Sequence, residues 1–469
     1  MNKPLRKPVI PAEHALNSRL AEFIVTESPP AEARERAVSA ILDTLCVTIA
    51  GSGEPAVRSV AMTLEESSGR HAVSSLWNGR RLRPEDAALL FGTASHVLDY
   101  DDVSMLTVCH PSAPVLSAAL CVAGDAAGAT LVDAFAIGTE VLNRVGEVMG
   151  FRHYALGFHA TATLGTIGAA AACARLLSLD AAQTRHALAI AASLAGGLRK
   201  NFGSMVKSLH VGFAAANGVR AARLAAAGIV GAEEPFEGEG FFHALTGGET
   251  DRLPKGLTLG QPYALVTPGF EQKRYPCCYM LHKMIEATLA WRRDSGCTLD
   301  DVARIRVVLP VGGSKPLIHP CPRSGLNALF SAPYAVLAAL EDGRIDLASF
   351  TDAAVLRPTI QARLTDVEVV EAGERLAHGA DIGKAPVTVS FQLPSGARQE
   401  RTIRLSPGSP EDPLTPGQAL AKWRDCLRRG LPHIDDEASV RLFSRGQALL
   451  DMSSIQEWLG SFRGVRGQA

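Results

Sequence analysis

The chain has 469 residues, of which 47% are hydrophobic and 20% are charged, and this is enough to build a large core and more than one domain. Lys and Arg number 47 against 48 Asp and Glu, so the whole molecule has no net field that would attract nucleic acid or an anionic membrane. We therefore expect neither nucleic acid nor a membrane as a partner, and any anion must be bound locally.

The beginning of the chain and its cysteines indicate a cytoplasmic protein. Prolines and a glutamate interrupt residues 1–20, where a signal peptide needs an unbroken apolar run. The nine cysteines include no CxxC spacing, and their odd number argues against a fully paired disulfide framework. We expect reduced thiols and a protein that is not exported.

Helical spacing of apolar residues dominates the chain up to about residue 264. The clearest segments are rich in alanine and lie at 31–50, 86–97, 160–176 and 182–198. The uncharged stretches 103–124 and 153–174 approach the length of a membrane span, but both contain histidines and the first also contains prolines. We therefore predict an all-helical body whose small residues let helix axes approach closely.

The pattern changes after Pro268. Residues 304–311 and 387–393 alternate like strands, with a Pro-Ser-Gly turn at 394–396. Prolines break the chain at 407–413, and helical spacing resumes at 418–427 and around 440–459. The prediction is a mostly α fold, in which residues 1–267 with 405–469 form a large all-helical domain and 268–404 a smaller α+β lid domain.

The densest polar cluster in apolar surroundings is HVLDYDD at 96–102, followed by HPS at 110–112. One structural interpretation is that the aspartates cap a helix and that the histidine is a satisfied core or surface group. A metal site is a second interpretation, and its ligands would be His96, Asp99, Asp101 and Asp102. We favour a site without metal or cofactor.

Three further ionisable positions interrupt apolar or glycine-rich stretches. They are His159 in GFHATAT, Lys207 in NFGSMVKSLH and Lys273 in KRYPCCY. Taken singly, His159 is also explained as a histidine at a helix N-terminus and Lys207 as a solvated loop lysine. Composition alone does not bring these side chains together.

Several motifs, in order along the chain, resemble the MmgE/PrpD family: HVLDYDD with HPS, GFHATATLG, KNFG followed by SMVKSLHVGFAAANG, FEGEGF, and KRYPCCYMLHK. The resemblance covers roughly Ala31 to Pro413. It implies a homodimer, free of metal and cofactor, whose helical domain and α+β lid enclose a site for small anionic di- or tricarboxylates.

The resemblance also implies roles for particular residues. Its catalytic positions fall on Asp99, His110, His159 and Lys207, and its substrate-binding motif contains Lys273, Cys278 and His282. The chemistry needs such groups, since cations must neutralise the enediolate that forms when a base removes a proton next to a carboxylate. The lysines suit the cationic role, either histidine could be the base, and Asp99 could orient one of them. Cys278 is also explained as a small buried apolar residue.

These residues predict a lyase of the 2-methylcitrate dehydratase type, which abstracts a proton next to a carboxylate of a small hydroxylated di- or tricarboxylate. A racemase or epimerase of an amino- or imino-dicarboxylate, of the iminodisuccinate epimerase type, is the alternative. A cis-aconitate decarboxylase comes third, because the resemblance to animal decarboxylases leads us to expect a histidine where Cys278 stands. A non-catalytic binding protein on the same fold comes last.

If His159 and Lys207 take part in the reaction, His159→Gln and Lys207→Ala should each abolish turnover and leave the melting temperature nearly unchanged. Steady-state kinetics and thermal melts of the purified variants test this expectation. Retained activity in either variant would contradict the site assignment.

Overall fold

The computed structural model describes residues 15–250, 256–373, 383 and 385–463. Up to residue 250 these form the short strands β1 (Val73–Ser74) and β2 (Arg81–Leu82) and the helices α1 (Leu16–Thr26), α2 (Ala31–Gly51), α3 (Pro55–Met62), α4 (Pro84–His96), α5 (Ser112–Val122), α6 (Gly128–Met149), α7 (Arg152–Ala155), α8 (Ala160–Leu176), α9 (Ala181–Leu194), α10 (Val206–Ala226) and α11 (Phe241–Thr246).

The later part of the chain mixes helices and strands. In order it forms α12 (His282–Ser295), β3 (Arg304–Leu309), α13 (Gly325–Ala328), α14 (Ala332–Asp342), α15 (Asp352–Val355), α16 (Pro358–Gln361), β4 (Val367–Glu371), β5 (Val387–Gln392), β6 (Arg398–Ile403), α17 (Pro416–Gly430), α18 (Asp436–Gln447) and α19 (Gln456–Gly460). The predicted fold class, mostly α with a smaller α+β part, is confirmed.

Helices α4, α5, α6, α8 and α10 form the centre of the helical part, and their small residues set how closely they pack. A Cβ added to Gly138 of α6 would lie 2.7 Å from the carbonyl oxygen of Gly168 of α8, and one added to Gly92 of α4 would lie 2.8 Å from Cα of Gly212 of α10. Backbones that approach this closely leave no space for a side chain at the crossing.

The apolar side chains form two hydrophobic clusters. The larger one joins the helices before residue 250 to the last helices, which contribute Trp423 and Trp458. The smaller one lies among α12, α14 and the strands, with Trp291 stacked on Phe391 at a centroid distance of 4.1 Å. The domain boundaries at 267 and 404 stay a prediction.

A four-stranded sheet in the order β4-β3-β5-β6 lies in the α+β part. Strand β3 pairs parallel with β4 and antiparallel with β5, and β5 pairs antiparallel with β6 through the predicted turn, where Gly396 has a φ of 86°. Strand β3 ends at Leu309, two residues before the predicted end, because Pro310 has no N–H to donate to a neighbouring strand. Strand β5 ends at Gln392, one residue before the predicted end.

Two predicted helices differ from those observed. Helix α9 ends at Leu194 and not at residue 198, because the backbone is already extended at Ala195, where ψ is 128°. The helical pattern around 440–459 belongs to two helices, α18 and α19, separated by a 3-10 turn at Leu449–Asp451.

None of the helices in the described ranges is, by itself, both long and apolar enough to cross a membrane. The pair α2 and α3, which is bent by 78°, passes that test jointly by length and composition.

The contact between α6 and α8 makes a stability prediction. Gly138→Ala should lower the free energy of unfolding by about 1–3 kcal/mol, because its methyl group would overlap the Gly168 carbonyl oxygen. Urea denaturation followed by circular dichroism measures this loss. Gly417→Ala in α17 is the matched control, since a Cβ there meets nothing within 4 Å. Equal stability of the two variants would contradict the close approach.

Candidate active site

The loop after α4 carries several buried carboxylates. His96 is the last residue of α4, and Asp99 then adopts a left-handed φ of 48°, which aspartate tolerates better than most residues. Backbone hydrogen bonds of 3.0 and 2.7 Å between Val103 and Glu271 hold the loop against the segment that leads to Lys273. The buried carboxylates are those of Asp99, Asp101 and Asp102.

The carboxylate of Asp99 contacts two lysines. Its Oδ1 lies 2.7 Å from Nζ of Lys273 and 3.2 Å from Nζ of Lys207, and we call these three residues the lysine–aspartate cluster. Lys273 also donates to the main-chain oxygen of Asp99 at 2.6 Å. Burial alone would raise the pKa of Asp99, but the ammonium groups of Lys207 and Lys273 hold it well below its usual range. Two ammonium groups therefore face one ionised carboxylate.

Lys207 lies in the first turn of α10 and is only 8% exposed, so its interpretation as a solvated loop lysine is wrong. The aromatic rings of Phe202 and Phe330 lie 5.6 and 5.4 Å from its Nζ. These apolar neighbours exclude water from the ammonium group and strengthen its attraction to anions.

Two histidines share the carboxylate of Asp101. Nδ1 of His96 lies 2.8 Å and Nδ1 of His110 lies 3.3 Å from Oδ2 of Asp101. Burial would raise the pKa of Asp101, but the two imidazoles hold it well below its usual range. Burial lowers the pKa of His96 to about 4 against the opposing effect of Asp101, so His96 is neutral near pH 7. Nε2 of His110 lies 3.8 Å from Oδ1 of Asp99, which joins this pair to the lysine–aspartate cluster.

His159 precedes α8 and is buried, but its side chain makes no capping bond to that helix. Its Nδ1 lies 3.2 Å from Nδ1 of His210, and its ring is 5.8 Å from that of His96. Burial, with His96 and Lys207 nearby, lowers the pKa of His159 well below its usual value. His159 is therefore a neutral imidazole, which can accept a proton.

A cavity of about 490 Å³ adjoins the lysine–aspartate cluster, and this volume suits a small ligand. Among the side chains in its wall are the polar groups of His96, Asp99 and Lys207 and the apolar groups of Met205, Leu326, Leu329, Phe330, Leu347 and Phe350. Leu347 belongs to the larger hydrophobic cluster and Phe330 to the smaller one, so residues of both clusters line the cavity.

The predicted site residues divide into two groups. Asp99, His110, His159, Lys207 and Lys273 come together through the contacts above. Of these five, only Asp99 and Lys207 line the cavity itself. The other two predicted residues, Cys278 and His282, are buried and also lie outside the cavity wall. Their role in substrate binding stays a prediction.

The surroundings of Cys278 and His282 keep both side chains neutral. The ring of His282 lies 5.3 Å from those of Tyr275 and Tyr279, and burial, with Lys273 nearby, lowers its pKa to about 3. Burial, with Asp99 nearby, raises the pKa of Cys278 to about 11, so it is a thiol near neutral pH.

Sequence reasoning named no role for Asp101 beyond metal binding and none for His210 or Lys422. His210 stands three residues after Lys207, a spacing that puts both on one face of α10 and could have indicated it. Lys422 lies in an amphipathic helix far along the chain, where no local pattern separates it from a surface lysine.

Four residues of the site could hold a metal ion. Ligand atoms of His96, Asp99, Asp101 and His110 all lie within 4.8 Å of one another. The ammonium groups bound to Asp99, however, would repel a cation placed there. Asp102 is not one of the four, and its carboxyl group accepts hydrogen bonds from the N–H and hydroxyl groups of Ser112.

Comparisons with known proteins found matching domain families and similar whole proteins. The MmgE/PrpD N-terminal domain matches residues 18–253, and the MmgE/PrpD C-terminal domain matches residues 275–444. The cis-aconitate decarboxylase of Homo sapiens is 30% identical over 71% of this chain and 72% of its own length, and that of Mus musculus is 32% identical over 70% of each. A cis-aconitate decarboxylase-like protein of Aspergillus oryzae is 28% identical over 96% of this chain and 98% of its own length.

The buried carboxyl group of Asp102 makes a prediction about pH. Burial raises its pKa to about 8, despite the opposing bonds from Ser112, whereas an unfolded aspartate has a pKa of about 3.9. Between these values the folded state binds more protons than the unfolded state, so stability falls as pH rises, by at most about 1.4 kcal/mol per pH unit. Asp102→Asn should remove this part of the pH dependence.

Urea denaturation of both proteins at several pH values between about 5 and 8 measures the effect. The free energy of unfolding should fall more steeply with pH in the unsubstituted protein than in the variant. Parallel curves would contradict the assignment of a protonated Asp102.

Proposed function

This chain belongs to the MmgE/PrpD family, and on that premise we propose that it is a lyase that transfers a proton at a carbon next to a carboxylate of a small polycarboxylic acid. The observation that carries the proposal is the lysine–aspartate cluster beside a cavity of about 490 Å³, with His110 and His159 close by. The cofactor-free homodimer implied by the resemblance stays a prediction.

The cluster supplies an anion site. Asp99 balances one of the two ammonium groups, which leaves one positive charge in excess within the lysine–aspartate cluster. Within the described ranges Lys207 has an ion pair with Asp99 but no other carboxylate partner, so its remaining donors can bind a substrate carboxylate. The same charge stabilises the enediolate that develops during proton transfer, which lowers the barrier more than it tightens ground-state binding.

The histidines supply the proton transfers. His159 is neutral, so a ring nitrogen can accept a proton, and an anion bound beside Lys207 would offset part of the charge that lowers its pKa. His110 lies 3.8 Å from Asp99 and 3.3 Å from Asp101, so the positive charge that it acquires on taking a proton would face two carboxylates. We assign His110 the delivery of a proton and His159 its removal, with Asp101 orienting the ring of His110.

Decarboxylation of cis-aconitate is the first candidate reaction, supported by the names of the relatives at 28–32% identity. The bond between carbon and one carboxylate breaks, and its electron pair forms a new double bond. The existing double bond then takes up one proton at its far carbon, so that CO₂ and itaconate are the products. This reaction needs a proton donor and an anion site, but no net removal of a proton.

Dehydration of a hydroxylated tricarboxylate, the reaction predicted from the sequence, is the second candidate. It needs a base for the carbon-bound proton and an acid for the departing hydroxyl group. The presence of two separate histidines, one neutral and one between carboxylates, favours it. Epimerisation would use the same groups by returning the proton to the opposite face.

Proton NMR in deuterium oxide separates these reactions. We expect cis-aconitate to give itaconate with one deuterium on carbon, because the delivered proton comes from solvent. The same experiment on 2-methylcitrate tests dehydration by the appearance of an alkene product, and on iminodisuccinate-generating mixtures tests epimerisation by solvent exchange with inversion.

With Lys207→Ala we expect no product signal and no solvent exchange in this experiment, because the substitution removes the ammonium group at the cavity. Lys315→Ala is the matched control, since Lys315 is exposed and lies outside the cavity wall, and it should retain full activity. The proposal would be contradicted if the unsubstituted protein converted none of the substrates, or if Lys207→Ala remained active.

A further inference from the structure

Lys422 is a buried lysine that contacts the active site from the opposite end of the chain. It lies on the inner face of α17, is 5% exposed, and is separated from Tyr100 by 322 residues. Its Nζ lies 2.7 Å from Oδ1 of Asp43 and donates to the carbonyl oxygens of Tyr100 at 3.0 Å and Lys273 at 2.8 Å. An ammonium group has three donors, so each donor has one acceptor.

The two carbonyl groups belong to the segments that carry the lysine–aspartate cluster. Tyr100 directly follows Asp99, and Lys273 is itself a member of the cluster. Since Lys273 donates to both the side chain and the main chain of Asp99, the contacts form a closed ring. The ring runs from Lys422 to Tyr100, along the chain to Asp99, across to Lys273 and back to Lys422.

The aromatic side chain of Tyr100 also connects Lys422 with the segment of Lys273. Its centroid lies 4.0 Å from Nζ of Lys422, and its hydroxyl group donates to the carbonyl oxygen of Arg274 at 2.9 Å. Tyr100 is therefore held by Lys422 on one side and by the segment of Lys273 on the other. Lys422 does not line the cavity, and its three donors are used by Asp43, Tyr100 and Lys273, so it acts on the site through these neighbours.

We infer that Lys422 is a positioning residue, which fixes the distance between the Asp99 carboxylate and the Lys273 ammonium group by holding the backbone on both sides of that pair. Removal of its ammonium group leaves two buried carbonyl oxygens without this donor, and the two segments can then separate. The kinetic part of its test rests on the proposed function, and the crystallographic part does not.

The partner Asp43 allows positioning to be separated from stability. Asp43 is buried, and burial raises its pKa against the opposing effect of Lys422. Lys422→Met therefore leaves a buried carboxylate without its cation, which is destabilising whatever Lys422 does for the site. In the double variant Asp43→Asn with Lys422→Met, both charges are absent and this cost disappears.

The experiment compares kcat, KM and Tm for the unsubstituted protein, the single variant Lys422→Met and the double variant, with cis-aconitate as substrate. In the double variant we expect Tm to return towards the unsubstituted value, while kcat stays about 10–100-fold lower, the loss typical of a displaced catalytic group. KM should change much less, because Lys207 and the apolar side chains of the cavity wall are unaltered. A double variant that regained full kcat would overturn the inference.

Arg144→Met is the matched control for the loss of a buried cation. Arg144 is 8% exposed, lies 2.7 Å from Glu140 and donates to the carbonyl oxygen of Pro262, but it contacts no member of the lysine–aspartate cluster. We expect a lower Tm with an unchanged kcat. A fall in kcat equal to that of Lys422→Met would show that any buried cation has this effect, and would overturn the specific role.

Crystal structures of the unsubstituted protein and the double variant test the inference without any assay. The distance between Oδ1 of Asp99 and Nζ of Lys273, 2.7 Å here, should lengthen in the double variant. If the unsubstituted protein does not turn over cis-aconitate, the proposed reaction fails, but this distance still decides the role of Lys422. An unchanged distance would overturn it.

Discussion

The ionised carboxylate of Asp99, enclosed between two ammonium groups, is the interaction on which the rest of the site depends. A carboxylate that is taken out of water is costly unless charged partners and hydrogen bonds replace the solvent. Lys273 donates hydrogen bonds to the carboxylate and to the main-chain oxygen of Asp99, and Lys207 in α10 forms a second ion pair with the carboxylate. Asp99 has a left-handed backbone at the point where its carboxylate contacts both lysines.

Close packing of α4 against α10 brings His96 and Lys207 to the same cavity. Gly92 and Gly212 let α4 and α10 touch at their backbones, and His96 lies one turn beyond Gly92. Lys207 lies at the start of α10, little more than one turn before Gly212. A larger side chain at either glycine would move the two helices apart, and with them the groups that line the cavity. The alanine-rich composition is therefore tied to the chemistry as well as to the core.

Much of this structure could be predicted from the sequence because it follows from local patterns. Apolar spacing identified α2, α4, α8 and the strands β3 and β5, and no predicted end is wrong by more than two residues. The predicted end of α9 is too late for a different reason, because the apolar pattern continues to Leu198 although the backbone is already extended at Ala195. Periodicity shows which face of a helix would be apolar, but it does not show where the backbone leaves helical geometry.

The site was less predictable because its contacts join distant parts of the chain. The motifs pointed to His110, His159, Lys207 and Lys273, but nothing local shows that Asp101 lies between two histidines or that His159 faces His210. Lys422 is the extreme case, because its partners Asp43, Tyr100 and Lys273 are all at least 149 residues away. Only the tertiary structure reveals that a lysine in an amphipathic helix is buried against backbone carbonyls.

The position of Lys422 near the end of the chain also has a consequence for biosynthesis. Domains commonly begin to fold while the ribosome is still extending the chain, N-terminal parts first. Here the loop of Asp99 is made early, the segment of Lys273 later, and α17, which braces both, close to the end. A nascent chain thus carries its charged loop without this support until α17 emerges, so the pair of Asp99 and Lys273 is braced only after the segment around residue 422 has been made.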